Sequence, residues 1–262
     1  MSDSTSGIAR RTSARIVIVG SGFAGLGMAI QLKRNGFDDF VILEKSEALG
    51  GTWHDNTYPG CACDVPSHMY SFSFELNPGW TRMFAPQPEI RDYMERTADK
   101  YGIRKHIRFG TAVDMLEWDE DGREWRVTTA DGEVLTAKAV VSGVGALHIP
   151  SFPDLPGIEK FQGTAFHSAE WDHSYDFTGK RVAVIGTGAS AIQFVPKLAE
   201  QAGELTVFQR TPPWIQPKPD FEFPKPARAM FKTMPGTTRA FRNAIYWTLE
   251  ARAVGFALDP RL

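Results

Sequence analysis

Two glycine-rich loops are the parts of this chain whose residue types and spacing could do chemistry. The first loop is Gly20-Ser21-Gly22-Phe23-Ala24-Gly25, and the second is Gly186-Thr187-Gly188-Ala189-Ser190-Ala191. In such a loop the first glycine permits a tight turn, the second lets the backbone approach a pyrophosphate, and the third position stays small so that helix and strand pack closely. The N–H groups at the start of the following helix can then bind phosphate oxygens. The sequence therefore predicts two dinucleotide-binding sites.

Each loop is expected to lie between a buried strand and a helix, because only that arrangement aims the helix start at a ligand. Residues 15–19 form a β-branched run typical of a parallel strand, and residues 26–34 follow as a helix. The order recurs with a strand at 181–185 and a helix ending near Gln201. We therefore predict an α/β fold with two Rossmann-like dinucleotide-binding domains.

The residues that follow the next strand differ between the two loops. Glu44 and then Lys45 stand about 20 residues beyond the first loop, where a carboxylate accepts hydrogen bonds from the hydroxyls of an unphosphorylated ribose, as in FAD or NAD. The corresponding pair after the second loop is Gln209-Arg210. A guanidinium, helped by the Thr211 hydroxyl, can hold a 2′-phosphate. This difference predicts NADPH at the second loop; the alternative is that the pair simply ends a solvated strand.

The segment after Glu44 favours FAD over NAD at the first loop. It contains Gly50-Gly51, where the backbone can again come near a ligand, and it stays irregular and rich in aromatic residues as far as Phe74. Such a long segment suits a flat isoalloxazine ring. Aromatic core packing is the alternative interpretation.

A third pattern lies between the two loops, and it carries a resemblance to a known family. Phe161-x-Gly163-x-x-x-His167-x-x-x-Trp171-Asp172 resembles the fingerprint of flavin-dependent Baeyer–Villiger monooxygenases. Relatives that oxygenate nitrogen or sulfur usually have Tyr or Phe in place of Trp171. The resemblance covers nearly the whole chain from residue 15, including "GGTW", "YPG", "CDVPSHMYSFSFE", "WTRMFAPQPEI" and "VFQRTPPW".

The resemblance implies an enzyme that uses FAD, NADPH and O₂ to insert one oxygen atom beside a ketone carbonyl, through a peroxyflavin, giving an ester or lactone. It implies that Asp64 lies near the flavin and positions a catalytic arginine, and that Ala62 and Cys63 line the nicotinamide side. The fingerprint is expected to couple domain positions. Family members continue well past Leu262 and supply that arginine from the continuation, so we expect the C-terminal portion to be missing here.

The candidate site residues follow from the loops, the strand ends and the resemblance together. Asp64, His167 and Trp171 are assigned to catalysis, and no metal ligands are expected. The residues expected to bind FAD or NADPH are Gly20, Gly22, Gly25, Glu44, Lys45, Gly51, Thr52, Trp53, Ala62, Cys63, Asp64, Tyr70, Val113, Gly186, Thr187, Gly188, Ala189, Ser190, Ala191, Arg210 and Thr211.

The chain divides by pattern into four parts. We expect a disordered tail over 1–14, an FAD-binding domain over 15–148, a segment with the fingerprint over 149–179 and an incomplete NADPH-binding domain over 180–262. Within these parts, Asp121-Gly122 and Asp131-Gly132 predict a small β-meander over 111–141 that leads into a strand at 139–147. An apolar stripe predicts a helix from Thr237 to about Phe256.

Composition limits the partners and the compartment. With 42% hydrophobic and 23% charged residues and a net charge of −2 over 262 residues, the chain has no electrostatic reason to bind nucleic acid or an anionic membrane. No apolar run approaches the roughly 18 residues that span a bilayer. Cys61 and Cys63, the two cysteines, are too close for an easy disulfide and too few for a zinc site. The scarcity of cysteines fits a reducing cytoplasm, where we expect the protein to be. The partners, a small ketone and O₂, are those that the family resemblance implies.

Three alternatives stay open at this point. The enzyme could oxygenate nitrogen or sulfur instead of a ketone. A pyridine-nucleotide disulfide reductase shares the two-loop layout, although it needs two suitably spaced cysteines beside the flavin, and Cys61-x-Cys63 is too tight. The chain could also be a nucleotide-binding fragment without turnover. The substrate, its regiochemistry and the oligomeric state cannot be read from the sequence.

Overall fold

The structure is a computed structural model that describes residues 12–146, 148–215 and 217–258. The predicted tail therefore lies largely outside the described residues. The prediction of disorder is wrong for the last two residues of this tail, because Ser13 and Ala14 belong to the first strand and pair with Thr136 and Ala137.

The chain forms two compact units. The first runs to Asp55 and resumes over Met94–Pro150; the second contains Asn56–Tyr93 and the described residues from Ser151 onward. Residues 56–93, which the sequence groups with the first domain, thus pack within the second unit. Backbone pairing explains this, since the Met83 N–H donates to the Phe221 carbonyl and the Phe223 N–H donates to the Thr81 carbonyl.

The first unit contains a six-stranded mixed sheet. Its strands are β1 (Ser13–Val19), β2 (Phe40–Leu43), β3 (Ile107–Arg108), β4 (Val113–Asp119), β5 (Glu124–Thr129) and β6 (Val134–Ser142). The spatial order is β3-β2-β1-β6-β5-β4. Pairs β1–β2, β1–β6 and β2–β3 are parallel, whereas β4–β5 and β5–β6 are antiparallel. The predicted meander is confirmed, but its last strand ends at Ser142, and Leu147 lies outside the described residues.

The described part of the chain contains six α-helices. They are α1 (Phe23–Arg34), α2 (Thr52–Asp55), α3 (Gln87–Lys100), α4 (Ala189–Ala199), α5 (Lys225–Thr233) and α6 (Thr237–Leu258). Short 3₁₀ helices cover Arg104–His106, Ile158–Lys160 and Ser168–Glu170. The predicted helix from Thr237 is confirmed, and α4 ends at Ala199, two residues before the predicted end.

The second unit has a two-stranded parallel sheet beside α4. Strands β7 (Arg181–Ile185) and β8 (Glu204–Phe208) pair in register from Arg181 with Glu204 to Ile185 with Phe208. The predicted α/β class is therefore confirmed. In the part of the chain that is described, no helix has the length and hydrophobicity needed to cross a bilayer.

Apolar residues of the first sheet form one buried cluster that holds the parallel and antiparallel strands together. Its most buried members are Val17, Leu43, Val127, Leu135 and Ala137. Because β-branched and leucine side chains fill this layer, the strand ends that carry the first loop are held in place.

Replacing Leu135 by alanine should lower the free energy of unfolding by about 2–5 kcal/mol, because its fully buried side chain would leave a cavity. The matched control is Leu116→Ala in the same sheet, where the side chain is 37% exposed; it should cost less than about 0.5 kcal/mol. Urea denaturation followed by circular dichroism measures both. Equal losses would contradict the assignment of this core.

Candidate dinucleotide-binding sites

The first loop depends on glycine at two positions where a side chain would collide with backbone. A Cβ on Gly25 would lie 1.9 Å from the Gly20 carbonyl oxygen, and Gly20 itself has φ +94°. The Gly20 N–H donates to the Leu43 carbonyl at 2.8 Å, which ties the turn to β2. Helix α1 therefore begins directly against the end of β1, with its first-turn N–H groups beside the loop.

Gly22 and Gly51 bring two backbone segments of the first unit together. A Cβ on Gly51 would lie 3.2 Å from the Gly22 Cα, whereas a Cβ on Gly22 would reach only ordinary contact, 3.9 Å from the Gly51 Cα. Gly51 leads into α2, where Thr52 is exposed, Trp53 is buried, and the buried Nδ1 of His54 has no hydrogen-bond partner. These bare backbone surfaces are the kind of cradle that a pyrophosphate needs.

Glu44 is buried at the end of β2, and its carboxylate is bound to the loop itself. Oε2 accepts from the Ser21 N–H at 2.7 Å and from the Ser21 hydroxyl at 2.6 Å, and Oε1 accepts from the Ser46 N–H at 2.9 Å. An ionised carboxylate has about four acceptor positions, so one remains for a ribose hydroxyl. The contact of Ser21 with Glu44 was not predicted from the sequence.

Two other residues assigned to the first site have identifiable places in the first unit. The Lys45 ammonium donates to the His148 carbonyl at 3.4 Å. Val113 begins β4 and packs against the buried cluster of the sheet.

The second loop repeats the strand–loop–helix geometry with more open space. Gly186 has φ +103°, and its N–H donates to the Phe208 carbonyl at 2.9 Å. A Cβ on Gly186 or on Gly188 would meet no atom within 4 Å. Helix α4 begins at Ala189, Ser190 is half-buried and Ala191 is buried. The backbone of this loop is therefore accessible to a ligand.

The strand registers set the two loops in equivalent relation to their neighbouring strands. Val19 pairs with Leu43 in the first unit, and Ile185 pairs with Phe208 in the second. Gln209 therefore follows its strand as Glu44 does, and its amide donates to the Thr187 hydroxyl at 3.1 Å. Arg210 and Thr211 are exposed just beyond. The position that Glu44 occupies in the first unit is thus taken in the second unit by the Gln209 amide, and the Arg210 guanidinium follows it.

The fingerprint residues pack within the second unit. His167 caps the 3₁₀ helix Ser168–Glu170, because its Nδ1 accepts from the Ala169 N–H at 3.1 Å. The Trp171 ring lies 5.7 Å from the Phe177 ring and 5.2 Å from that of Phe194, which belongs to α4. The fingerprint is therefore joined to the helix that follows the second loop.

The segment around Asp64 is held mainly through its backbone. The Gln193 amide binds both backbone groups of Ala62, and the Lys218 ammonium donates to the Cys63 carbonyl at 2.7 Å. The Asp64 carboxylate is exposed. Tyr70, also assigned to cofactor binding, is half-buried in a turn where its N–H donates to the Pro66 carbonyl. Gln193 and Lys218 were not predicted, since neither stands in a recognisable motif.

Both cysteines are buried free thiols. Burial raises the pKa of the Cys63 thiol to about 11, and burial also raises the pKa of Cys61. A redox-active cysteine needs its thiolate form. The environment of this pair therefore opposes disulfide chemistry. Among the described residues, no three or more His, Cys, Asp or Glu side chains are grouped as a metal site.

Comparison with known proteins defines the class. A family model described as pyridine nucleotide-disulphide oxidoreductase matches residues 17–227. The chain belongs to this family.

Similarity to individual proteins is more specific and bears out the resemblance seen in the sequence. The chain is 52% identical over 248 residues to a Baeyer–Villiger monooxygenase of Pseudomonas aeruginosa, covering 95% of this chain and 47% of that protein. A closed crystal structure of cyclohexanone monooxygenase superposes with a TM-score of 0.81 at 36% identity, over 89% of this chain and 44% of that one. OTEMO in complex with FAD and NADP gives 0.76 at 38% identity, over 84% and 44%. The chain spans about half the length of these relatives.

Alanine at Gly22 and at Gly25 should separate ligand binding from folding. Gly25→Ala should lower the free energy of unfolding by at least about 2 kcal/mol, because its Cβ collides with backbone. Gly22→Ala should leave that free energy nearly unchanged but weaken FAD binding by about tenfold or more, since its Cβ occupies the cradle. Thermal denaturation and fluorescence titration with FAD measure the two effects. Unaltered FAD affinity of Gly22→Ala would show that the cradle binds something else.

The two thiols should react slowly with iodoacetamide in the folded protein. At pH 8 the raised pKa values leave few thiolates, and for Cys63, whose pKa is about 11, we expect alkylation roughly 100-fold slower than in urea-unfolded protein. The rate at Cys63 should rise about tenfold per pH unit from about pH 7 to pH 9 without levelling. Mass spectrometry follows the labelling. Rapid labelling at neutral pH would reopen the disulfide reductase alternative.

Proposed function

We propose that this chain provides the FAD- and NADPH-binding part of a Baeyer–Villiger monooxygenase, which inserts one oxygen atom from O₂ beside the carbonyl of a small ketone. One observation carries the proposal. The strand beside each loop is followed by different residues, Glu44 in the first unit and Gln209-Arg210 in the second. The similarity to monooxygenases crystallised with FAD and NADP supports the same assignment.

The first loop fits FAD. Its bare backbone at Gly22 and Gly51 can accept a pyrophosphate, and Glu44 retains one acceptor position for a ribose hydroxyl. When bound, the flavin supplies the activation of O₂, which no amino-acid side chain performs. The protein's task at this loop is to hold and orient the cofactor.

The second loop fits NADPH. Helix α4 presents its N-terminus to open space, and the exposed Arg210 can bind a 2′-phosphate by charge-assisted hydrogen bonds. Glutamate at the position of Gln209 would repel that phosphate. NADPH held by these residues would supply the electrons for the reaction.

We assign Asp64 as the catalytic carboxylate and keep His167 and Trp171 as residues that link the fingerprint segment to the second loop. The cap made by His167 and the contact of Trp171 with Phe194 support a positioning role for both. Relatives that oxygenate nitrogen or sulfur usually have Tyr or Phe at the position of Trp171. The tryptophan found here therefore supports ketone oxygenation as the activity. The cytoplasmic location remains a prediction.

The proposal is tested by adding FAD to the purified chain and recording its visible spectrum. We expect a yellow protein whose flavin absorbance is bleached by NADPH without oxygen, and an ester when the chain with its family-type continuation receives O₂ and a cyclic ketone. A chain that stays colourless under saturating FAD would contradict cofactor binding. Sulfoxides from thioethers with no ester from any ketone would indicate the heteroatom-oxygenating relatives.

Arg210→Ala should remove most of the preference for NADPH over NADH. A charge-assisted contact contributes about 1–3 kcal/mol, so the ratio of the NADH Kd to the NADPH Kd should fall by between about 5-fold and 150-fold. Arg181→Ala is the matched control, because Arg181 is an exposed arginine at the opposite end of the β7–β8 sheet. Isothermal titration measures both variants. An unchanged preference for NADPH over NADH in Arg210→Ala would contradict the assignment of Arg210.

A further inference from the structure

We propose that Gln193 is a positioning residue that couples nucleotide binding at the second loop to the backbone immediately before Asp64. The inference rests on the proposed function, because it takes the second loop as the nucleotide site and Asp64 as the catalytic carboxylate. All the contacts that carry it lie within the second unit.

The carboxamide of Gln193 pairs with a single backbone residue in two directions. Its Oε1 accepts from the Ala62 N–H at 3.1 Å, and its Nε2 donates to the Ala62 carbonyl at 2.8 Å. Two opposed hydrogen bonds fix both the position and the orientation of the Ala62 backbone, as a neighbouring strand would. A glutamine that only filled space would need neither bond.

Tyr58 supports the same carboxamide. Its hydroxyl donates to Gln193 Oε1 at 3.1 Å. Burial raises the pKa of Tyr58 to about 12, so the hydroxyl remains a donor at neutral pH. Gln193 itself lies on α4, the helix that begins at the second loop, so the contacts run from this helix through Gln193 to Ala62.

Helix α4 is seated closely on the turn that precedes Ala62. A Cβ on Gly60 would lie 2.8 Å from the Gln193 carbonyl oxygen, and Gly60 has φ +81°. The Tyr58 and Phe194 rings meet edge to face at 5.9 Å. Because the Gly60 backbone lies directly against the helix backbone at Gln193, a displacement of the helix start is passed to the turn.

The contacts continue to the residue before Asp64. The Cys63 N–H donates to the Ala85 carbonyl at 2.9 Å, and Lys218 donates to the Cys63 carbonyl. Both backbone groups of Ala62 and of Cys63 are therefore held. Gln193 is the one of these partners that lies on α4, the helix that starts at the second loop. It is therefore the link through which nucleotide occupancy reaches Asp64.

Amide hydrogen exchange of the FAD-loaded chain, with and without NADP⁺, tests the link directly. In the wild type, NADP⁺ should slow exchange of the Ala62 amide by about fivefold or more. Gln193→Leu should speed that exchange without nucleotide by about tenfold and abolish the response to NADP⁺. Because coupling is reciprocal, its NADP⁺ Kd should rise by the same factor of about five.

Two further variants keep the test decisive. Gln193→Glu keeps the acceptor oxygens and loses the donor, so it should retain only part of the NADP⁺ response, and it serves if Gln193→Leu does not fold. Glu200→Gln removes an exposed ion pair with Lys197 at the other end of α4 and should behave as the wild type.

Each outcome is distinguishable. A full NADP⁺ response in the leucine and glutamate variants, or none in a wild type that binds NADP⁺, overturns the coupling. Failure of the folded wild type to bind NADP⁺ overturns the proposed function itself. Faster exchange in Gln193→Leu with an intact NADP⁺ response would leave only a structural role and so contradict the proposal.

Discussion

The first unit depends on close approach of backbone to backbone where strand β1 turns into helix α1. In the first unit a Cβ at Gly25 would come within 1.9 Å of the Gly20 carbonyl oxygen, so the helix start and the strand end are in direct contact. This contact aims the first-turn N–H groups at the loop and brings the end of the next strand beside it. In the second unit the third position is Ala191, a small buried residue, so this loop accommodates a Cβ where the first loop has no room for one. Nucleotide binding is proposed at both strand–loop–helix junctions, of which the first has the tighter backbone contact.

Much of the fold follows from local pattern, because its elements are set by neighbours in sequence. The strand at 181–185 was predicted with the bounds that the structure gives, since its β-branched run ends directly at Gly186. Helices α3 and α5 were not predicted. Each begins beside a proline, Pro88 or Pro226. Proline in the first turn starts a helix as readily as it ends one.

The sites were predictable only where a motif carries the chemistry. Loop glycines and strand-end residues could be read directly, and the strand registers place Glu44 and Gln209 in equivalent positions. Ser21, Gln193 and Lys218 could not be found this way. Their roles arise from contacts between residues 23 to 155 positions apart, which no local pattern records. The pairing of 81–83 with 221–223 is long-range for the same reason.

The central claim is that the two loops bind two different nucleotides at the same time. Equilibrium dialysis of the chain with radiolabelled FAD and NADP⁺, together and separately, tests it most directly. The account predicts one FAD and one NADP⁺ bound per chain, with saturating FAD leaving the NADP⁺ stoichiometry unchanged. Displacement of one nucleotide by the other, with a total of one bound per chain, would contradict it.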